Sequence, residues 1–350
     1  MNVISTTLKL TCSPISVRDI AWAKNDADVQ NAIKNAHVYM IAKKPQILFS
    51  NIKIDGNKID LDLVNVCGRV SISIPMDQSI FKPCDKKVFV FDVGSKENQI
   101  LVKGDSAATA HEMKIYAVDE ALYKKASEKN LKKYLNDDSF VVRLSPEKLL
   151  YLYMSKKLRI PNFDKTRNFF WNYEVMYIDK VNCQNDFDKH RHHESFLDIL
   201  QSEIEEYENI RDDMVLLFFN VQERDNSLLI GNSTSLNEFQ NLMSWKKMPS
   251  VELLSLKTEI VFVDKFKPKY NAVLFHQYLK SKDYPDFPNY DIIDYAINDN
   301  ITLVFKGMDW FGGLNGNCLV YCKDSSLSVM KPADFDDLLE KKFIESVLSY

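Results

Sequence analysis

The chain has 350 residues, of which 45% are hydrophobic and 27% charged, and its formal net charge at pH 7 is -4. These values predict a folded protein of two or three domains, and they argue against one that coats nucleic acid by bulk charge. No apolar run is long enough to cross a membrane, and Met1–Cys12 lacks a signal-peptide pattern. We therefore expect a cytoplasmic protein with no membrane partner.

Residues 1–118 have the pattern of a β-rich domain. Short segments rich in β-branched and aromatic residues recur, and several alternate apolar with polar side chains. Asp55-Gly-Asn predicts a hairpin turn, because these residues tolerate the positive φ of tight turns. We expect a small barrel or sandwich, with a helix at Asp26–Ala36 packed on it. Its residues fix no function, although target recognition is one candidate.

Residues 119–165 have the pattern of a helical connector. Ser145 and Pro146 form a favourable helix start, because Ser is a good N-cap residue and Pro suits the first helical position. After this connector we expect an α/β sandwich module at 166–275 and a small mixed region at 276–350. The fold class predicted for the whole chain is α+β.

Within the module, two apolar segments are expected to be buried strands of one sheet. These are Phe169–Ile178 and Met214–Val221, and the helix expected after Phe187 should pack on them. The most apolar helix candidate is Ser250–Phe266, which Pro268 should end.

The last 75 residues predict two strands and a closing helix. Ile301–Phe305 and Cys318–Cys322 have the pattern of paired strands, and Ala333–Leu348 that of a helix. The chain's six cysteines contain no CxxC pair, which favours reduced thiols over a disulfide framework or a zinc ribbon.

Three segments of the module carry polar side chains whose order has a functional interpretation. A strand ends in Tyr177-Ile-Asp-Lys180, Lys189 precedes His193 by four positions, and Glu259 precedes Asn271 by twelve. This order resembles the GIY-YIG nuclease superfamily over about residues 168–275, less than a third of the chain.

The resemblance implies a role for each of these side chains. Tyr177 would position or deprotonate the attacking water, and Glu259 would bind Mg²⁺ or Mn²⁺. The full catalytic set would be Tyr177, Lys189, His193, Glu259 and Asn271. Four cationic residues are candidates for contacts with nucleic acid: Lys180, Arg191, Lys267 and Lys269.

The chemistry of Glu259 agrees with that role. Leu253, Leu254, Leu256, Ile260 and Phe262 surround it in sequence, and a carboxylate on an apolar helix face has a desolvation cost unless it meets a cation. One carboxylate can hold a Mg²⁺ ion that keeps most of its waters and binds substrate phosphate.

Two positions depart from the family pattern, and one family residue is not identified. Asp179 stands where the family has glycine, and its charge would repel phosphate unless it turns outward or recruits a second cation. Lys189 stands where the family has arginine, so a bidentate phosphate clamp would be lost. For the family's tyrosine on the preceding strand, Tyr173 is too close to Tyr177, and Tyr151 or Tyr153 would require an insertion.

Three functional hypotheses follow. The first is a divalent-metal-dependent endonuclease that acts on DNA, of a restriction or phage-defence type. The second is a catalytically degenerate GIY-YIG-fold module that binds nucleic acid or a protein partner, which the two departures favour. The third is an unrelated α/β protein whose residues match by coincidence.

Overall fold

The computed structural model divides the chain into two units. The residues it describes are 2–55, 57–81, 87–94, 99–101, 104–107, 109–125, 131–161, 163, 170–181, 199, 201–203, 212–228, 251–274, 292–305, 308–322 and 328–348. The core unit comprises Met1–Lys44 and Trp171–Tyr350, and the inserted unit comprises Pro45–Phe170. Both units contain strands and helices, so the expected mixture of α and β structure is confirmed.

The elements of the described residues are numbered here in chain order. The strands are β1 (Asn2–Leu10), β2 (Ile15–Ser16), β3 (Val38–Pro45), β4 (Leu48–Asp55), β5 (Lys58–Asn65), β6 (Gly68–Pro75), β7 (Lys87–Val93), β8 (Gln99–Leu101), β9 (Gly104–Ser106), β10 (Met113–Asp119), β11 (Phe140–Leu144), β12 (Asn172–Lys180), β13 (Asp212–Leu228), β14 (Ile292–Ile297), β15 (Thr302–Phe305), β16 (Met308–Phe311), β17 (Cys318–Cys322) and β18 (Ser328–Met330). The α-helices are α1 (Ile20–Ala23), α2 (Ala27–Lys34), α3 (Glu120–Lys125), α4 (Pro146–Met154), α5 (Val251–Phe266), α6 (Lys269–Leu274) and α7 (Pro332–Leu348).

One large sheet organises the core unit. Its strand order is β16-β15-β12-β3-β13-β1-β14-β17-β18, and β2 also pairs with β13. β12 and β13 therefore lie in one sheet, which confirms the prediction made from their apolar segments. Ile199, in the described part of the helix expected after Phe187, is buried against this sheet beside Met214.

The first strands of the chain belong to this sheet and not to a separate N-terminal domain. β1 pairs with β13 and β14, and β3 pairs with β12. The division by contacts therefore falls after Lys44 and Phe170, and it differs from the expected boundaries at 118, 165 and 275. Such pairings join segments far apart in sequence, and each segment's own pattern shows only that it is a strand.

The inserted unit contains two four-stranded sheets, in the orders β6-β5-β4-β9 and β11-β10-β7-β8. β4 and β5 form the expected hairpin, with Asp55 opposite Lys58. Ser145 caps α4 by accepting a hydrogen bond from the Lys148 N–H at 3.3 Å, as its sequence predicted. The expected helical connector also contains β11, which pairs with β10, so that region is not purely helical.

The C-terminal strands form as predicted, but their predicted pairing was wrong. β15 pairs with β12 and β16, whereas β17 pairs with β14 and β18. The closing helix α7 buries Phe335 against the sheet, in a cluster that also contains Cys318 and Cys322. In the part of the chain that the structure describes, no helix is long and apolar enough to cross a membrane.

The large sheet curls around helix α5. The Phe262 ring on α5 lies 4.8 Å from Tyr295 on β14 and 5.6 Å from Trp310 on β16, measured between ring centroids. Those two strands are six positions apart in the sheet, which would be roughly 29 Å if the sheet were flat. One ring can touch both only because the sheet is strongly curved. Helix α5 is accordingly buried on most of its sides, as its apolar sequence predicts.

We predict that Phe262→Ala lowers the free energy of unfolding by about 3 to 5 kcal/mol, because it removes a fully buried ring and leaves a cavity between helix and sheet. Phe311→Ala is the matched control, since Phe311 is 37% exposed on β16, and it should cost less than about 1 kcal/mol. Urea denaturation measures both values. Equal losses for the two variants would contradict the placement of α5 inside the curved sheet.

Candidate functional site

An irregularity in the pairing of β12 with β3 sets the geometry of the site. The register shifts between Val175 and Tyr177, so that Tyr177 lies opposite Ile41 and Asp179 lies opposite Tyr39. Residues directly opposite each other in an antiparallel pair point to the same face of the sheet. Without the extra residue, Asp179 would face the other side from Tyr39. The bulge therefore brings both tyrosines and Asp179 onto one face.

The carboxylate of Asp179 accepts hydrogen bonds from both tyrosines. The Tyr177 hydroxyl lies 3.1 Å and the Tyr39 hydroxyl 3.4 Å from Asp179 Oδ2, and the two rings are 6.0 Å apart. The backbone N–H of Lys180 donates to Asp179 Oδ1 at 2.8 Å. Burial, and next the charge of Asp179, raise the pKa of Tyr39 well above its usual value, so this hydroxyl stays protonated and donates. The side chain of Asp179 is thus held towards the protein and does not turn outward.

The side chain of Glu259, on helix α5, lies next to this cluster. Glu259 is 4% exposed, and its side chain interacts with Asp179 through charge and a hydrogen bond. Among the described residues, its Oε2 atom has no hydrogen-bond partner. A buried carboxylate oxygen without a partner has a large desolvation cost when the group is charged.

Burial and Asp179 make Glu259 a weak acid. Burial has the largest effect on its pKa, the negative charge of Asp179 and a hydrogen bond with Asp179 add to it, and the charge of Lys180 acts in the opposite direction. Together they raise the pKa of Glu259 from 4.5 to about 8. In the absence of a cation, Glu259 therefore holds a proton at neutral pH.

Asn271 holds α6, and with it α5, against the edge of β12. β15 pairs with β12 only as far as Glu174, and no other described strand pairs with the later part of that edge. There, Asn271 Oδ1 accepts from the Ile178 N–H at 2.8 Å, and Asn271 Nδ2 donates to the Ile178 carbonyl at 2.7 Å. The side-chain amide makes the pair of hydrogen bonds that the backbone of a neighbouring strand would otherwise make. Asn271 is fully buried, so its role is to position the elements of the site.

The turn between α5 and α6 fixes the separation of Glu259 from Asn271. Lys267 ends α5 with a φ of 45°, in the left-handed region, and its N–H donates to the Val263 carbonyl. Pro268 follows, and α6 begins at Lys269. A residue in this conformation commonly ends a helix, and the chain after it runs in a new direction.

A second polar cluster fastens α6 on the same face of the sheet. Glu203 is buried and accepts hydrogen bonds from Lys269 at 2.8 Å and from the Tyr270 hydroxyl at 2.7 Å, with Lys43 at 3.4 Å. Burial opposes ionisation of Glu203, but these hydrogen bonds and lysine charges outweigh it and lower its pKa. Lys269, expected to contact nucleic acid, is thus already paired with a carboxylate.

The structure brings together part of the predicted set. Tyr177, Glu259 and Asn271 converge on the end of β12, and Lys180 is beside them. Lys267 is exposed at the end of α5. Three predicted residues, Lys189, Arg191 and His193, lie outside the described residues.

Tyr39 is the site residue that the sequence reasoning missed. It lies in β3, the neighbour of β12 in the sheet, but the inserted unit separates the two strands in the chain. The available signal was the apolar, aromatic pattern of His37-Val-Tyr-Met-Ile-Ala42, which resembles that of Phe169–Ile178 in composition. Similar composition suggests two buried strands, but it does not identify them as partners.

Carboxylate oxygens are the atoms by which this cluster could bind a metal ion. Asp179 and Glu259 supply them, and such oxygens suit a hard divalent cation such as Mg²⁺. Within the described ranges, no group of three or more His, Cys, Asp or Glu side chains is arranged to hold a metal ion.

Comparisons of the chain with protein-family models, with curated proteins and with solved structures gave no match.

We predict that Asn271→Ala lowers the free energy of unfolding by about 2 to 5 kcal/mol, because it leaves the buried N–H and carbonyl of Ile178 without partners. Asn220→Ala is the matched control, since that amide makes an exposed hydrogen bond to the Asn35 carbonyl, and it should cost less than about 1 kcal/mol. Chemical denaturation distinguishes the two. If Asn271→Ala leaves the free energy of unfolding unchanged, the amide does not hold α6 to the strand.

We also predict that Glu259→Gln removes a pH dependence of stability. Because the pKa of Glu259 is about 8 in the folded protein and 4.5 ordinarily, the folded state binds this proton more tightly than the unfolded chain. Its contribution to stability is fully present below pH 4.5 and is lost as the pH rises to about 8. The free energy of unfolding of the variant, relative to that of the wild type, should therefore increase as the pH rises across this interval, by on the order of a few kcal/mol.

Denaturation with a chelator present, at several pH values across that interval, measures the difference. Asp309→Asn, which makes the same change in charge at an exposed position of β16, should follow the wild type. Parallel curves for wild type and Glu259→Gln would contradict the raised pKa.

Proposed function

We propose that the chain is a divalent-metal-dependent endonuclease that acts on DNA, of a restriction or phage-defence type, in the manner of the GIY-YIG nucleases that it resembles. The observation that supports this most strongly is the convergence of Tyr177, Glu259 and Asn271 on the end of β12. These residues come from a strand and two helices, and the resemblance implies that they converge. Asp179, where the family has glycine, stands among them.

In this proposal, Tyr39 takes the place of the family tyrosine that the sequence did not identify. It lies on the strand beside Tyr177 and shares the same carboxylate acceptor. The two strands that carry the tyrosines are joined by the inserted unit and not by a short turn. Long insertions between paired strands have a modest entropic cost, because loop closure entropy grows slowly with length.

Glu259 is the residue that would hold Mg²⁺ or Mn²⁺, and its unpartnered Oε2 is suited to that role. When bound, the cation would supply positive charge next to the phosphate on which negative charge develops. Tyr177 would position the attacking water, and its hydrogen bond to Asp179 fixes the direction of its hydroxyl. Asn271 is a positioning residue, because both of its side-chain hydrogen bonds shown in the described residues go to the backbone of Ile178.

The substrate phosphate would approach from the side of Asp179 and Lys180. These two residues are partly exposed, whereas Tyr39, Tyr177 and Glu259 are buried. Lys180 is therefore the first candidate for a phosphate contact, and Lys267 the second, since it is exposed at the end of α5. Lys269 would have to leave Glu203 to do the same. Contributions from Lys189, Arg191 and His193 stay predictions.

A second candidate function is a catalytically degenerate module that binds nucleic acid or a protein partner. The raised pKa of Glu259 favours it, because a carboxyl that keeps its proton at neutral pH does not attract a cation. Binding to phosphate would then depend on surface lysines such as Lys180 and Lys267, and it would weaken as salt is raised.

We predict that supercoiled and linear DNA is nicked or cleaved when Mg²⁺ or Mn²⁺ is present, and that Glu259→Gln lowers the rate by about a hundredfold or more, because the amide keeps the shape of the side chain and loses its charge. Gel analysis of the products measures the rate. Asp309→Asn, with the same change in net charge at an exposed position, should leave it unchanged.

The outcomes separate the two candidates. Equal cleavage by wild type and Glu259→Gln would remove Glu259 from the mechanism. Salt-dependent DNA binding without cleavage would support the binding module. If the protein neither binds nor cleaves DNA or RNA at low salt, both nucleic-acid functions fail and a protein-interaction role is left.

A further inference from the structure

We propose that Asp179 is a ligand of a divalent cation shared with Glu259, so that the site holds its metal through two carboxylates. This inference deepens the proposed function and uses the same site. The resemblance implies one carboxylate ligand, Glu259, and a glycine at the position of Asp179. In this proposal, Asp179 completes the site as a second metal ligand and does not weaken it by repelling phosphate.

The first observation is the contact between the two carboxyl groups. Asp179 lies at the end of β12 and Glu259 on α5, and their side chains interact directly, through charge and a hydrogen bond. Two carboxylates at such a separation repel each other in a buried environment unless a proton or a cation lies between them. A divalent cation would offset both negative charges.

The second observation is the unpartnered oxygen. Glu259 is 4% exposed, and its Oε2 finds no hydrogen-bond partner among the described residues. Buried polar atoms in folded proteins nearly always have a partner, so a buried carboxylate oxygen without one is suited to bind a cation. Since Oε2 accepts and cannot donate when the group is ionised, a cation is a suitable partner.

The third observation is the set of hydrogen bonds that orient Asp179. Tyr39 and Tyr177 both donate to its Oδ2 atom, and the Lys180 N–H donates to Oδ1. Carboxylates that bind metals are commonly held in this way by donors around them, which fix their direction before the metal arrives. Two of the three donors are tyrosine side chains from neighbouring strands, so the direction of the carboxylate is fixed by the sheet.

The chemistry of the ligands defines the class of cation. Carboxylate oxygens bind hard divalent ions such as Mg²⁺, Mn²⁺ and Ca²⁺, whereas zinc and copper sites usually include His or Cys. Glycine at position 179 would remove one of the two charges. In contrast with the view that this Asp merely repels substrate, Asp179→Gly should weaken the site.

Terbium luminescence tests this proposal on the full chain without DNA. Tb³⁺ is a hard ion that prefers oxygen ligands, and it emits when a nearby tyrosine transfers absorbed energy to it. Tyr39 and Tyr177 both contact Asp179, so a bound ion would lie next to two such donors. We expect saturable emission from the wild type, and we expect Mg²⁺ or Mn²⁺ to reduce it by competition.

Variants then identify the ligands. Asp179→Asn keeps the shape and the hydrogen-bond acceptor, and it should weaken Tb³⁺ binding by about tenfold or more, as should Glu259→Gln. Asp309→Asn, which makes the same change in charge at an exposed position, should bind as the wild type does. Circular dichroism shows whether each variant folds, and Asp179→Gly is a second variant at that position if Asp179→Asn does not.

The outcomes distinguish this inference from the proposed function. Wild-type affinity in the folded Asp179 variant, or no saturable emission from the wild type, would overturn the inference. If Asp179→Asn binds Tb³⁺ normally while DNA is cleaved in a Glu259-dependent way, the nuclease function stands and the shared ligand does not. If the cation binds through both carboxylates and DNA is not cleaved, the shared ligand stands and the nuclease function fails.

Discussion

The site depends on the pair of hydrogen bonds between the Asn271 amide and the backbone of Ile178. They occupy the edge of β12 beyond the last residue paired with β15, and they hold α6 at a fixed position along the strand. Because α5 and α6 are joined by a single tight turn at Lys267, the same contact sets where Glu259 meets the strand. Asp179, one residue after Ile178, is therefore brought to Glu259 by the geometry of the backbone.

That arrangement places two carboxyl groups together in a largely buried setting, which lowers stability when both are ionised. The surrounding structure compensates, since the sheet curves around α5 and buries Phe262 between β14 and β16. Well-packed elements that carry an unfavourable polar group are typical of functional sites, where stability is given up for chemistry. The raised pKa of Glu259 is the electrostatic consequence. A bound cation would reverse it by favouring the charged form.

Local patterns in the sequence predicted the elements, and long-range pairing decided the rest. The helix at 251–266, its end at Pro268 and the apolar strand that carries Tyr177 follow from periodicity and helix-ending signals. The resemblance linked Glu259 with Asn271, and the structure places them on consecutive helices that reach the same strand. Tyr39 could not be found in this way, because its position beside Asp179 depends on a pairing across the inserted unit and on a bulge. The same limit explains why residues 1–44 were expected in a different domain.

We propose above that Asp179 and Glu259 share a divalent cation beside Tyr39 and Tyr177. Crystals grown with Mn²⁺ test it most directly, because the anomalous scattering of manganese locates the ion independently of the protein model. We expect an anomalous peak between the two carboxylates, within coordination distance of Glu259 Oε2. Carboxylates that point apart, or manganese bound only elsewhere on the chain, would contradict it.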